Sequence, residues 1–84
     1  MRILIAEDNQ EIAHLIQMFL EKEGYEVVWK ADGQAALDYL LSEEAALCIF
    51  DIMMPRLDGF TLIQKVRKFS NVPILVLTAK NMEQ

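Results

Sequence analysis

Four short apolar runs punctuate the chain, and between them apolar residues recur at helical spacing. The first run is Ile3-Leu4-Ile5-Ala6, stopped by Glu7-Asp8-Asn9. Unbroken runs of this length predict strands covered on both faces. Ile12, Leu15, Ile16, Phe19 and Leu20 then fall along one apolar stripe of a helix. Asp8 or Asn9 is placed to cap it, with Glu11 three after Asp8 as in a capping box. Gly24 is placed to end it. Tyr25 to Trp29, aromatic and β-branched, predicts the second strand. Ala31-Asp32-Gly33 is a turn and cap, and Ala36, Leu37, Leu40 and Leu41 mark a second helix closed by Ser42-Glu43-Glu44. Leu47 to Asp51 is the third strand. Leu62, Ile63, Val66 and Phe69 mark a third helix, with Lys65, Arg67 and Lys68 in the half where cations complement the helix dipole. After the Ser70-Asn71 loop, Pro73 opens a fourth strand, Ile74 to Leu77, which ends at Thr78-Ala79-Lys80. Strict alternation of strand and helix predicts an α/β domain, doubly wound, with a mostly parallel sheet and right-handed crossovers.

Composition narrows the picture without naming a chemistry. The 84 residues suffice for one small domain, and 54% of them are hydrophobic. A domain this small buries a modest fraction of its surface. The net charge of −5 argues against a general nucleic-acid binder, which carries basic patches. Cys48 is the single cysteine, inside an apolar run, so it forms no internal disulfide and reads as a core residue. A reducing, cytoplasmic compartment fits that usage. The opening Met1-Arg2 is followed by too few apolar residues for a signal peptide. No run reaches membrane-spanning length. Trp29 reads as packing, and His14, with no second histidine or free cysteine to pair with it, as a surface or half-buried residue rather than a ligand.

Candidate chemistry lies at the ends of strands. In an open parallel sheet, ligands bind beyond the carboxyl ends of the strands where strand order reverses. Glu7-Asp8 follows strand one, Asp51 ends strand three and Thr78 ends strand four. Taken singly, Asp51 is as well explained as a helix cap or a solvated strand end, Thr78 as an ordinary strand end, and the acids as unrelated loop residues. If strands one and three are neighbours, however, three carboxylates converge. Like charges at close range repel and raise one another's pKa unless a cation intervenes. Hard oxygen ligands around a small pocket suit Mg2+, which keeps several waters and takes one or two carboxylates. Such a site suits phosphoryl transfer, with a carboxylate itself as nucleophile.

The Glu7-Asp8 pair, Asp51 followed by Met53-Met54-Pro55 and Asp58-Gly59, and Leu77-Thr78-Ala79 together resemble the receiver domain of bacterial two-component response regulators. The resemblance runs from Met1 to about Lys80, and the wording around Asp51 is closest to receivers of the winged-helix transcription-factor subfamily. It implies a flavodoxin-like sheet of strand order 2-1-3-4. It implies that Asp51 accepts phosphoryl from a sensor histidine kinase. Asp8 would ligate Mg2+ directly, Glu7 through water, and Met53 through its backbone carbonyl. Thr78 would contact the phosphoryl group and shift on activation.

One departure bears on this. Family receivers continue into a fourth helix, a fifth strand and a fifth helix, with an essential lysine followed by proline at the end of the fifth strand. Residues 1–84 would then be the N-terminal portion of a receiver, an incomplete sheet of four strands and three helices without any effector domain. Lys80 is followed by Asn81 and does not take the lysine's role. The self-phosphorylation typical of receivers would be impaired, and no turnover enzyme is expected. Strand four becomes an open edge, which predicts self-association. Two other classes compete: a phosphorylation-independent assembly module, and a phosphatase with an aspartyl nucleophile. The phosphatase needs a second acid two residues after the nucleophile, where this chain has Met53.

Overall fold

In a computed structural model, which describes residues 1–77, the elements are β1 (Arg2–Ala6), α1 (Gln10–Lys22), β2 (Glu26–Lys30), α2 (Gly33–Ser42), β3 (Leu47–Asp51), α3 (Gly59–Val66) and β4 (Ile74–Leu77). All strand pairs are parallel, as the alternation of elements predicts, and the order is β2-β1-β3-β4, as the resemblance implies. The chain leaves β1 to one side for β2, then crosses to the other side for β3. The switch point therefore lies between the ends of β1 and β3.

The unbroken apolar runs divide by parity into two packed layers. Leu4, Ala6, Cys48 and Phe50 face Ala36 and Leu40 of α2 and Leu62 and Val66 of α3. Ile3, Ile5 and Ile49 face the other way, against Ile16 and Leu20 of α1. Cys48 is fully buried, and burial pushes its thiol up to about 11, which fits a core residue rather than a reactive one.

Side-chain caps set the helix starts. Asn9, rather than Asp8, caps α1, accepting from the Glu11 and Ile12 N–H groups at 2.9 and 3.1 Å. Glu11 makes no capping box. Asp32 accepts from Ala35 N–H and Asp58 from Thr61 N–H. At the other end of α1, Gly24 takes φ 94°. The Gly24 N–H donates to Glu21 O and the Tyr25 N–H to Leu20 O, the paired bonds of a left-handed helix stop. Tyr25 is thus part of the helix ending, and β2 starts one residue later than the sequence predicts.

Two expectations shift for geometric reasons. Ala13, Ile16 and Leu20 share the face of α1 turned to the sheet, whereas Leu15, Met18 and Phe19 fall on an adjoining face and are exposed. The stripe read from sequence spans both faces. Phe69 lies in the turn after α3, not in the helix, and is half-exposed.

The start of α3 is pressed against the end of β3. A Cβ on Gly59 would lie 2.6 Å from Asp51 O and 2.7 Å from Ile52 Cα, both backbone atoms that cannot swing away. The Gly59 N–H donates to Ile52 O at 2.9 Å. Helix propensity favours alanine by at most ~1 kcal/mol, and overpacking against backbone outweighs it. Gly59→Ala is expected to destabilise the chain by about 2 kcal/mol, read as a lowered urea midpoint. An unchanged midpoint would show that α3 is not held this closely.

Candidate functional site

Parallel pairing of Ile5 with Ile49 and Ala6 with Phe50 carries β1 and β3 to a common end, where Glu7 and Asp51 come level. One carboxylate oxygen from each of Glu7, Asp8 and Asp51 lies within 4.8 Å of the other two. This is the one such group of metal-ligating side chains among the described residues.

The three acids sit at different depths. Glu7 is 3% exposed, Asp51 half-buried and Asp8 exposed. Burial pushes the Glu7 carboxyl up to about 7. The Asn9 N–H, donating to Glu7 Oε2 at 3.0 Å, opposes that rise, and the charge of Asp51 adds to it. Asp51 Oδ1 accepts from the Met53 N–H at 3.2 Å, which orients the carboxylate and leaves its second oxygen to the site.

The loop after β3 is fixed by contacts on both sides. Met54 is buried in the α2–α3 layer, while Met53 is exposed. A Cβ on Gly33 would lie 2.5 Å from Leu57 O, so the first residue of α2 is a glycine where the loop crosses it. Arg56 has φ 68°, a strained value for a residue with a side chain. Its guanidinium stands 3.9 Å from Asp32, an ion pair too exposed on the arginine side to hold the loop by itself.

The donor set fits a small hard dication. It offers carboxylate oxygens only, one of them open to solvent, and no sulfur or imidazole. Thr78 lies outside the described residues, as does Lys80. His14 is exposed, its ring centre 5.4 Å from that of Trp29 with the two ring planes 75° apart. Trp29 does more than the packing read from sequence: its indole N–H donates to the Glu7 carbonyl at 2.7 Å. Only the general rule that a buried indole seeks an acceptor gave a signal for that bond.

The family profile "Response regulator receiver domain" matches residues 3–84. The chain belongs to the response regulator receiver family. This receiver is 43% identical over 96% of its length to "Response regulator GtcR" of Aneurinibacillus migulanus. It is 40% identical over 100% of its length to "Transcriptional regulatory protein RprY" of Bacteroides fragilis. Those alignments cover 34% and 36% of the two relatives, so the chain spans about a third of the length of the curated relatives it matches. Among solved structures, the response regulator TrrA of Thermotoga maritima in complex with Mg(2+)-BeF superposes with a TM-score of 0.88 at 35% identity, over 93% of this receiver and 69% of TrrA. TrrA has also been solved in complex with histidine kinase ThkA.

The depth of Glu7 gives the receiver a pH signature. Its carboxyl ordinarily titrates near 4.5 and here near 7. Below pH 4.5 it is protonated whether folded or unfolded and contributes nothing to the pH dependence. As pH rises from 4.5 to 7 the unfolded chain ionises first, and stability is lost across that window, by on the order of 3 kcal/mol. In chelator, Glu7→Gln is therefore expected to gain on the wild type between pH 4.5 and 8 in urea unfolding. Equal wild-type and variant pH profiles would refute a buried, raised Glu7. Adding Mg2+ at pH 8 is expected to stabilise the wild type more than the variant.

Proposed function

We propose that this receiver is the phosphoacceptor of a two-component phosphorelay, with Asp51 as the residue phosphorylated. The observation that carries the reading is the convergence of Glu7, Asp8 and Asp51 at the switch point of the sheet. Family membership and the kinase-bound and Mg(2+)-BeF-bound structures of TrrA support it.

In this reading a carboxylate oxygen of Asp51 attacks the phosphorus of a phosphohistidine on a sensor kinase. The P–N bond breaks, the imidazole leaves, and an acyl phosphate forms on Asp51. The Met53 N–H holds the other Asp51 oxygen throughout. Asp8 would hold Mg2+ directly, Glu7 through water, and Met53 through its carbonyl. The bound ion would keep the acids ionised and neutralise charge on the phosphoryl oxygens. Thr78 would contact the phosphoryl group. In proteins of the relatives' length the output would be transcription, as the name of RprY implies, through a winged-helix effector outside these residues. DNA contact would belong to that effector, since these residues carry a charge of −5. The location would be cytoplasmic, where a reduced Cys48 belongs. No helix among the described residues is long and apolar enough to cross a membrane.

A second reading, self-association, is favoured by the exposure of Leu15, Met18 and Phe19 on α1 and of Leu75 on β4. The β4 strand is an edge of the described sheet. Sedimentation velocity is expected to show species larger than a monomer at micromolar concentration. A cooperatively folded monomer at all concentrations would dismiss this reading and leave the first untouched.

Incubation with Mg2+ and a small phosphodonor, followed by native mass spectrometry, tests the main reading. A phosphate adduct, in the reduced yield that impaired self-phosphorylation implies, is expected on the wild type and none on Asp51→Asn. Loss of groups beyond the ligands alone costs metal sites about tenfold in affinity, so Asp8→Asn is expected to weaken Mg2+ binding by at least that. Equal labelling of Asp51→Asn would place the acceptor elsewhere.

A further inference from the structure

Glu7 is held by three hydrogen bonds, two on its backbone and one on its carboxylate, although it lies one residue past the end of β1. Its N–H donates to Lys30 O at 3.1 Å, one last rung of the β1–β2 ladder. The ladder cannot continue, because β2 ends at Lys30 and the chain turns into the Asp32 cap of α2. The Glu7 carbonyl, which a further rung would have satisfied, instead accepts from the Trp29 indole N–H at 2.7 Å. The Glu7 carboxylate in turn accepts from the Asn9 N–H at 3.0 Å. Trp29 can reach this carbonyl because its ring is anchored in the α1-side layer, in the cluster of Ile3, Ile5 and Ile49. The segment pinned this way carries both acids that β1 contributes to the site, Glu7 buried and Asp8 exposed.

We infer that Trp29 is a positioning residue of the metal site: its indole N–H, bonded to the Glu7 carbonyl, fixes the turn that presents Glu7 and Asp8. The inference rests on the metal-site reading of the three acids. Trp29 touches neither the ion nor the reacting atoms, and it acts through one backbone oxygen. Removing the N–H leaves the carbonyl without its donor and the turn tied to β2 by the Glu7 N–H bond to Lys30 alone, while the ring can still fill the layer. A site preorganised by such a bond binds metal more tightly than one that must order itself on binding.

The experiment measures Mg2+ affinity of the full chain by calorimetry, with 15N-resolved NMR of the indole and the amides of Asp8 and Asn9. In the wild type, Mg2+ is expected to shift the Trp29 indole cross-peak with the same apparent Kd as those amides. Trp29→Phe is expected to lose about fivefold in Mg2+ affinity, the worth of one hydrogen bond. His14→Ala, which removes only the ring packed on the outer edge of Trp29, is expected to leave affinity unchanged. Should Trp29→Phe unfold, benzothienylalanine at position 29 replaces the N–H with sulfur in a ring of similar shape, and the same fivefold loss is expected. A wild type that binds Mg2+ with an unmoved indole peak, or an N–H-less ring with undiminished affinity, overturns the positioning role alone. A wild type that binds no Mg2+ overturns the metal-site reading and this inference with it.

Discussion

The structure is organised around an electrostatic conflict. Three carboxylates share a space less than 5 Å across, and one of them, Glu7, is almost wholly withdrawn from water. No packing advantage explains a buried glutamate beside an aspartate, since desolvation and like-charge repulsion both act against its ionised form. The arrangement makes physical sense as a receptacle for positive charge. The backbone around it is held accordingly: the Glu7 amide and carbonyl are both bonded, its carboxylate accepts an N–H, and Asp51 is oriented by the Met53 amide.

The sheet supplies the rigidity that this conflict demands. Adjacent parallel strands end together, so acids following β1 and ending β3 meet without any long loop. The strands under the site are buried on both faces, which removes freedom for the ends to splay. Two glycines complete the fit. Gly59 lets α3 sit against the Asp51–Ile52 backbone, and Gly33 lets the Leu57 carbonyl cross the start of α2. The loop after Asp51 is thus clamped at its far end by close backbone approach rather than by the exposed Arg56–Asp32 pair. Functional loops on rigid strands keep their geometry with few contacts of their own.

Legibility in the sequence followed periodicity and spacing. The runs Leu47–Asp51 and Ile74–Leu77 matched strands residue for residue, because the first is a continuous apolar segment closed by Asp51 and the second one opened by Pro73. The acids at strand ends were legible because parallel topology converts sequence position into a common end. Whatever depended on long-range contact was not. The Trp29 bond to Glu7 joins residues 22 apart and leaves no periodic mark. The exposed flank of α1 was merged with its buried face, since Leu15 and Phe19 stand one helical turn apart beside the residues that pack. Cap choice between Asp8 and Asn9 turned on local dihedrals: Asn9 takes the extended conformation a cap requires. Asp8, freed from capping, is left to the acidic cluster.

In the proposed metal site the unequal depths of the acids would divide their work. An exposed carboxylate such as Asp8 exchanges water for a cation at little desolvation cost, which suits a direct ligand. A buried one such as Glu7 has already lost most of its hydration on folding, so its charge is costly until a cation arrives and then acts through a low-dielectric surrounding, where attraction is stronger. Binding would therefore recover the free energy that folding spent on Glu7, and metal affinity and stability become linked through one residue. A site with all its acids exposed would fold more easily and bind more weakly. One with all of them buried would hold its acids protonated near neutrality and offer no nucleophile. The half-buried Asp51, between these limits and with one oxygen tied to the Met53 amide, keeps the other oxygen reachable from outside while its partners define the charge around it.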